Sequence, residues 1–430
     1  MPTPLDVAAL PLALKADVVV CGSGPGGFAA AVAAAESGAD TLLIEHYGFL
    51  GGMMTAGLVN PFMNYHAGGV RINAGLFQRF TDTMTERGAY GLHPHGKTAF
   101  DPEVAKLVLD EMVLAAGVRL RLHSTVCGAL VQDGVVKRVA ICGKSGLEAV
   151  EGHIFVDATG DADLSWYAGA TIEKGRPEDG FAQPMTTKFR MAGVDESRMP
   201  DRAAINELYV AAKDAGELEN PRENCLWFFT TRSGEIHFNT TRVVKHDSTN
   251  AAELTAAEIE GRRQVGQMVS WLRAKVPGFE NAWLSTVATQ IGIRESRRVM
   301  GDYVLTEEDV LEARKFEDGI ARGSYPVDIH NPAGTGTVIK HLPPGEAYDI
   351  PYRCLCPLGF SNMLVAGRPI SSDHAAHSSH RVMPIAFCNG EAAGVAAGLA
   401  VRDGADIRGI SVDELRQTLA NRGASVHGLT

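Results

Sequence analysis

The stretch Ala16-Asp17-Val18-Val19-Val20-Cys21-Gly22-Ser23-Gly24-Pro25-Gly26-Gly27 decides the fold. Its first half is a short apolar run, which reads as a strand. Its second half matches G-x-G-x-x-G. Gly22 allows a tight turn, Gly24 lets a pyrophosphate approach the backbone, and Gly27 permits close packing of helix on strand. Ser23, Pro25 and Gly26 complete the loop. The Ala-rich stretch 26–37 then reads as a helix, with small residues continuing at Ala31 and Ala35. Its N-terminus offers free N–H groups and a positive dipole end to an anion. A second strand, Thr41-Leu42-Leu43-Ile44, leads to Glu45, an acidic residue at the spacing that accepts bonds from ribose hydroxyls. Strand, helix and strand within about 30 residues make a right-handed, parallel βαβ unit.

Outward from this unit, Leu76–Glu86 and 101–116 carry helical patterns, the second opened by Asp101-Pro102-Glu103 as N-cap and first turn. Alternating runs at 124–131 and 135–142 flank Asp133-Gly134, a hairpin signal. A strand at 153–157 ends in Ala158-Thr159-Gly160-Asp161. From about 171 the texture changes. Charges and aromatics alternate with short strands at 186–191, 225–230 and 235–240, and a long helix is expected at Ala251–Lys275. The Ala/Gly-rich texture returns at 362–367 and in a helix at 384–401. The reading is an α/β chain with an N-terminal arm (1–15) and a discontinuous nucleotide-binding domain (16–170 and 350–430). That domain is Rossmann-like and carries a βββ meander. The segment 171–349 is an inserted α+β substrate-binding domain with a mixed or antiparallel sheet.

Composition narrows the function. With 430 residues, 45% apolar and 21% charged, the chain is neither disordered nor fibrous. A net charge of −11 argues against a binder that tracks nucleic-acid phosphates. No segment approaches the roughly 20 apolar residues that span a bilayer. The seven cysteines are an odd number without C-x-x-C, as in reduced thiols of a cytosolic protein. A cytoplasmic location is expected. Neither a serine elbow (G-x-S-x-G) nor a phosphate loop (G-x-x-x-x-G-K-[ST]) is present, so hydrolase and kinase readings find no support.

Directly after Glu45 comes His46-Tyr47-Gly48-Phe49-Leu50-Gly51-Gly52-Met53-Met54-Thr55. A glycine pair here lets the backbone approach a second, bulkier group, for which a plain NAD enzyme has no need. Late in the chain, Gly367-Arg368 and the helix entered through Arg381-Val382-Met383-Pro384 supply another backbone approach and another helix N-terminus. Two helix starts suit a ligand with pyrophosphate at one end and a flavin ring at the other. The cofactor reading is therefore FAD.

These motifs resemble the FAD-dependent oxidoreductases of the glutathione-reductase-like flavoprotein superfamily, and within it the FAD-oxidoreductase group. The resemblance continues through Val156-Asp157-Ala158-Thr159-Gly160-Asp161, Arg294-Glu295-Ser296-Arg297-Arg298, Asp328-Ile329-His330 and Ile350-Pro351-Tyr352-Arg353, nearly the whole chain in order. It implies tightly bound FAD, with Val126 near the adenine, Ala158-Thr159-Gly160 beside the cofactor and Met383 at the isoalloxazine. The chain departs from that group at Ala376-His377-Ser378-Ser379-His380, where smaller or apolar residues are usual.

Several groups are candidates for chemistry. His374, His377 and His380 form H-x-x-H-x-x-H. That spacing fits a general base or substrate hydrogen bonder, a metal site, or exposed loop histidines. No metal is assigned. Alternation puts Asp328 and His330 on one strand face, so the carboxylate can orient the imidazole. Arg294, Arg297 and Arg298 either fork onto a carboxylate or pair with acids such as Glu295 and Asp302. Arg353 is a second candidate for substrate anchoring. Cys354 and Cys356 read as buried thiols.

The expected activity is hydride transfer between a small organic substrate and flavin N5, with His330 or His374 as base. A flavin monooxygenase and an electron-relay subunit are the alternatives. With no second G-x-G-x-x-G, electrons are expected to leave to oxygen, a quinone or a protein. Homo-oligomerisation stays open.

Overall fold

The structure, a computed structural model, describes residues 5–93 and 96–429. The arm ends earlier than expected. Strand β1 runs Leu12–Cys21, and Leu14 and Lys15 already pair with Val150 and Glu151. Residues 1–4 of the arm lie outside the described residues.

β1 is the axis of the larger sheet. Val18, Val19, Val20 and Cys21 are completely buried, as a strand covered on both faces must be. On one side it pairs in parallel with β2 (Thr41–Ile44), which pairs with β3 (Arg119–Arg121). On the other it pairs in parallel with the long strand β6 (Gly146–Asp157). β4 (Ser124–Gln132) and β5 (Val135–Gly143) complete an antiparallel meander with the first half of β6. The end of β6 takes β7 (Met363–Val365) alongside it in parallel. The meander turn has Asp133 and Gly134 at φ 51° and 74°, the left-handed pair of a type I′ hairpin.

Helix α1 (Pro25–Glu36) starts with Pro in its first turn, where a missing N–H costs nothing. It is buried almost all round because α2 (Met383–Asp403) lies against it. Small residues permit that contact. A Cβ on Gly390 would fall 2.1 Å from the Gly26 carbonyl oxygen, and one on Gly394 2.2 Å from that of Ala30. α2 corrects one sequence expectation. Its 21 residues are long and apolar enough to cross a bilayer by length and composition, yet it lies buried inside the protein.

The second sheet is mixed. Its order is Trp283–Val287, Phe189–Ala192, Ile236–Phe238, Trp227–Thr230, Gly96–Ala99 and Leu92–His93. All pairs are antiparallel except Trp227–Thr230 with Gly96–Ala99. The expected insert 171–349 therefore borrows strands from before residue 100. It also gives residues back. Its own core gathers Phe189, Trp227, Phe238, Met268 and Trp271, whereas Val299, Ile320, Val327 and Tyr348 join the core of α1 and α2. The cause is topological: the ribbon of Gly319–Gly323 with Tyr348–Pro351 packs on α2.

Candidate active site

Gly22 takes φ 92° at the end of β1, a conformation that favours glycine. A Cβ there would also lie 2.4 Å from the Ala158 carbonyl oxygen. Gly24 is different. A Cβ on it would meet nothing within 4 Å, so bare backbone faces open space. A Cβ on Gly26 would stand 2.7 Å from Gly367 Cα, and one on Gly52 2.8 Å from Gly24 Cα. Three distant glycine segments thus converge at the start of α1.

A cavity of ≈600 Å³ opens from this point. Gly22, Ser23, Gly24, Pro25 and Gly26 line it, with Glu45 and His46 beside them. Val126, Ala158, Thr159 and Gly160 form another wall, and Gly52, Met53, Gly367, Arg368 and Met383 line the middle. The starts of α1 and α2 both reach the cavity, offering unbonded N–H groups at two places. Four expected cofactor residues support the wall without lining it. Gly27 packs on Gly22, and Gly51 turns the chain at φ 107°. Thr55 Oγ1 donates to the Leu50 carbonyl at 2.6 Å, and Met54 is buried.

Glu45 Oε2 accepts bonds from Ser23 N at 2.8 Å and Ser23 Oγ at 2.6 Å. Oε1 accepts from Tyr47 N and lies 2.8 Å from His46 Nδ1. Burial alone would raise its pKa, but the His46 contact and the Ser23 bonds hold it below the usual range. The carboxylate is thus an ionised tie between β2 and the glycine loop. Asp157 plays a similar part: it accepts bonds from Thr159 and Ser165, fixing the Ala158–Gly160 turn. These features fit FAD. An open glycine backbone and a helix start suit the pyrophosphate, Glu45 suits ribose, and the start of α2 would meet the flavin.

Near the start of α2 the same cavity has a chamber lined by Lys188, Arg294, Tyr325, Asp328, His330 and Arg381. Strand Val327–His330 sets Asp328 and His330 on one face, with Asp328 Oδ2 3.6 Å from His330 Nε2. Tyr325 Oη donates to the same oxygen at 2.8 Å. His330 Nδ1 lies 3.1 Å from Arg242 Nη2. A guanidinium only donates, so Nδ1 accepts and the neutral ring carries its proton on Nε2. Burial, then repulsion from Arg294, pushes the His330 pKa down to about 3. Asp328 is desolvated too, but His330, Arg381 and Tyr325 hold it well below the usual carboxylate range.

Two expected catalytic residues are not brought to this chamber. Arg353 lies in the turn Tyr352–Leu355 with a half-exposed side chain, and its Nε donates to Asp318 at 2.9 Å. His374 is buried in the short helix His374–His380, its Nδ1 2.9 Å from Glu295 Oε1, and does not line the cavity. His377 and His380 are fully buried as well, so none of the three is an exposed loop residue. Among the described residues, no group of three or more His, Cys, Asp or Glu side chains could hold a metal ion. The arginine cluster separates by role. Arg298 pairs with Glu295 and Arg297 with Asp163, whereas Arg294 reaches the cavity. Asp302 pairs with Arg408 instead.

No motif points to Lys188 or Tyr325 as site residues, and Arg381 enters the sequence reading only at the start of a helix. Alternation in Thr186-Thr187-Lys188-Phe189-Arg190-Met191 carries a signal, since it sets two cations on one face of a buried strand.

Among known proteins, digeranylgeranylglycerophospholipid reductase 1 of Methanopyrus kandleri is 31% identical over 156 residues. The match covers 34% of this chain and 40% of that protein, so the chain spans well under half the length of this curated relative. A geranylgeranyl bacteriochlorophyll reductase-like structure from Thermoplasma acidophilum aligns over 95% of this chain and 84% of its own, at 14% identity and a TM-score of 0.45. The p-nitrophenol 4-monooxygenase of Pseudomonas putida aligns over 95% and 85%, at 12% identity and a TM-score of 0.48. Residues 17–419 match the FAD dependent oxidoreductase family, and the chain belongs to that family, with FAD as its cofactor.

Proposed function

We propose that this enzyme is of the dehydrogenase or oxidase type, moving hydride between a small organic substrate and FAD. The observation that carries this is one continuous cavity, in which the FAD crevice runs directly into a chamber of proton-handling side chains. Bound FAD supplies the hydride chemistry. The protein supplies position and proton control. Asp328 stays ionised and offers lone pairs, so it is the acceptor for the hydroxyl or amine proton of the substrate. His330 Nε2–H and the Tyr325 hydroxyl are donors that orient that group and hold Asp328 in place. This departs from a histidine base: the bond from Arg242 to Nδ1 makes His330 a donor toward the chamber. Electrons leave to oxygen, a quinone or a protein acceptor.

The test is anaerobic mixing of the purified yellow protein with a panel of alcohols, amines, hydroxy acids and amino acids. Bleaching of the flavin band by one class, without NAD(P)H, is the expected result. Oxygen incorporation driven by NAD(P)H would instead identify a monooxygenase. Bound FAD that no substrate reduces would point to an electron-relay subunit.

A further inference from the structure

The chamber holds more positive charge than its own acids answer. Lys188, Arg294 and Arg381 all line it, and among the described residues Asp328 is the one lining carboxylate paired with any of the three. Lys188 is only 5% exposed. Among the described residues, its Nζ forms no hydrogen bond or ion pair. Its ammonium end packs close to the backbone of Gly292, where a Cβ would sit 3.0 Å from Lys188 Nζ. Arg294 is also buried, and Nη1 donates to the Pro184 carbonyl at 2.6 Å and to Thr186 Oγ1 at 2.5 Å. No carboxylate stands within 4.0 Å of it among the described residues. Arg381 Nη2 is 4.0 Å from Asp328 Oδ2 and 3.5 Å from Gln183 Oε1, while its buried Nε has no partner.

Buried charges without partners are costly, and proteins keep them where a ligand completes the pairing. Burial, and then repulsion from neighbouring arginines (Arg294, Arg381 and Arg222 on Lys188; Arg381, Arg222 and Arg242 on Arg294), drives both well below their usual ranges. An anion entering the chamber relieves both. The nearby walls are apolar, through Val59, Met63 and Ile293, which suits an organic body rather than an inorganic ion. Guanidinium forks match the plane of a carboxylate.

We propose that the chamber binds a substrate through its carboxylate, held by Lys188, Arg294 and Arg381, so that the enzyme acts on small organic acids. This rests on reading the chamber as the substrate site beside FAD. It also gives Asp328 a task, since a bound carboxylate offsets Arg381, one of the groups that keep Asp328 weakly basic.

Benzoate, benzamide and inorganic phosphate are suitable probes on the FAD-loaded protein, read by flavin difference absorbance and by calorimetry. Benzoate should bind saturably and at least about tenfold more tightly than its neutral amide, as a charge-assisted contact implies. Lys188→Met and Arg294→Met should each weaken benzoate by about tenfold or more. Lys188→Met should retain or raise the melting temperature, because a buried amine without a hydrogen-bond partner has been removed, whereas Arg294→Met also gives up the bonds to Pro184 and Thr186 and is read by benzoate affinity. If Arg294→Met fails to fold, Arg294→Lys keeps the charge but loses the fork, and should still weaken benzoate.

Equal binding of benzoate and benzamide, or phosphate binding without benzoate binding, overturns the assignment. So do variants that keep benzoate affinity while altering photoreduction of FAD, which would assign the cations to the cofactor. Benzoate binding with no flavin reduction by any substrate leaves the carboxylate site standing and sinks the hydride-transfer reading. Flavin reduction by neutral alcohols, with benzoate ignored, does the reverse.

Discussion

The two ends of the cavity are built by different means. The nucleotide end is made of backbone: open peptide at Gly24, the close approach of Gly26 to Gly367, and two helix starts. The chamber is made of side chains sent from separate segments, around Lys188, Gly292–Arg294, Tyr325–His330 and Arg381. Backbone sites depend on local conformation and tolerate any cofactor substituent that does not clash. Side-chain sites depend on charge balance, so they set chemistry and substrate. Changes at one end should therefore leave the other readable.

The largest effect is expected from Gly24→Asp. Its Cβ enters open space, so the fold should survive while the new carboxylate repels the pyrophosphate. The purified protein should be colourless, with near-wild-type melting by circular dichroism. Retained yellow colour would break the assignment of the glycine loop.

Asp328→Asn probes the other end. Flavin content should be unchanged, while flavin reduction by substrate in stopped flow falls by about 10²-fold or more, the usual worth of a proton acceptor. An unchanged rate would remove Asp328 from that role.

Glu45→Gln tests the side chain that serves the backbone end. It loses a charged acceptor for Ser23 N and Oγ, worth about 1.5–3 kcal/mol. Titration of apoprotein should show FAD binding weakened roughly 10- to 100-fold. Substrate reduction of whatever FAD remains bound should be normal.

The smallest effect concerns acid. His237, His330, His377 and His380 are buried and held neutral, with His330 and His380 pushed down to about 3. The unfolded chain binds protons at about pH 6.5, so it carries more protons than the fold between roughly pH 6.5 and 3. Stability rises with pH across that window and is lost on acidification, by about 1.4 kcal/mol per histidine at one unit below its unfolded pKa. Urea midpoints at pH 5.5 and 7.5 should differ, and His377→Leu should narrow the difference. Equal narrowing by substitution of an exposed histidine such as His153 would defeat the explanation.

The same contrast explains what the sequence revealed. The strand Thr41–Ile44 and helices Leu76–Glu86 and Ala251–Lys275 lie where periodicity places them, because local pattern suffices for local structure. The converging glycines were legible for the same reason, as each carries its requirement within a few residues. The chamber was not. H-x-x-H-x-x-H looks like a reactive array, but its helix turns the three rings into the protein. Asp328 beside His330 was visible by alternation, whereas the bond that fixes the tautomer comes from Arg242, far along the chain. Arg353 failed because its partner Asp318 sits on a neighbouring turn. The insert boundary failed because strands from residues 92–99 cross into the second sheet.

The glycine contact between α1 and α2 governs the order of events during synthesis. α1 leaves the ribosome well before α2, apolar on nearly every side, and that close-fitting partner follows only after the strands of the second sheet have been made. Until then the glycine loop lacks Gly367 and the second helix start. Cofactor capture should accordingly wait for α2, and a fragment that keeps every residue of the first βαβ unit but lacks α2 should emerge as an aggregation-prone chain without flavin.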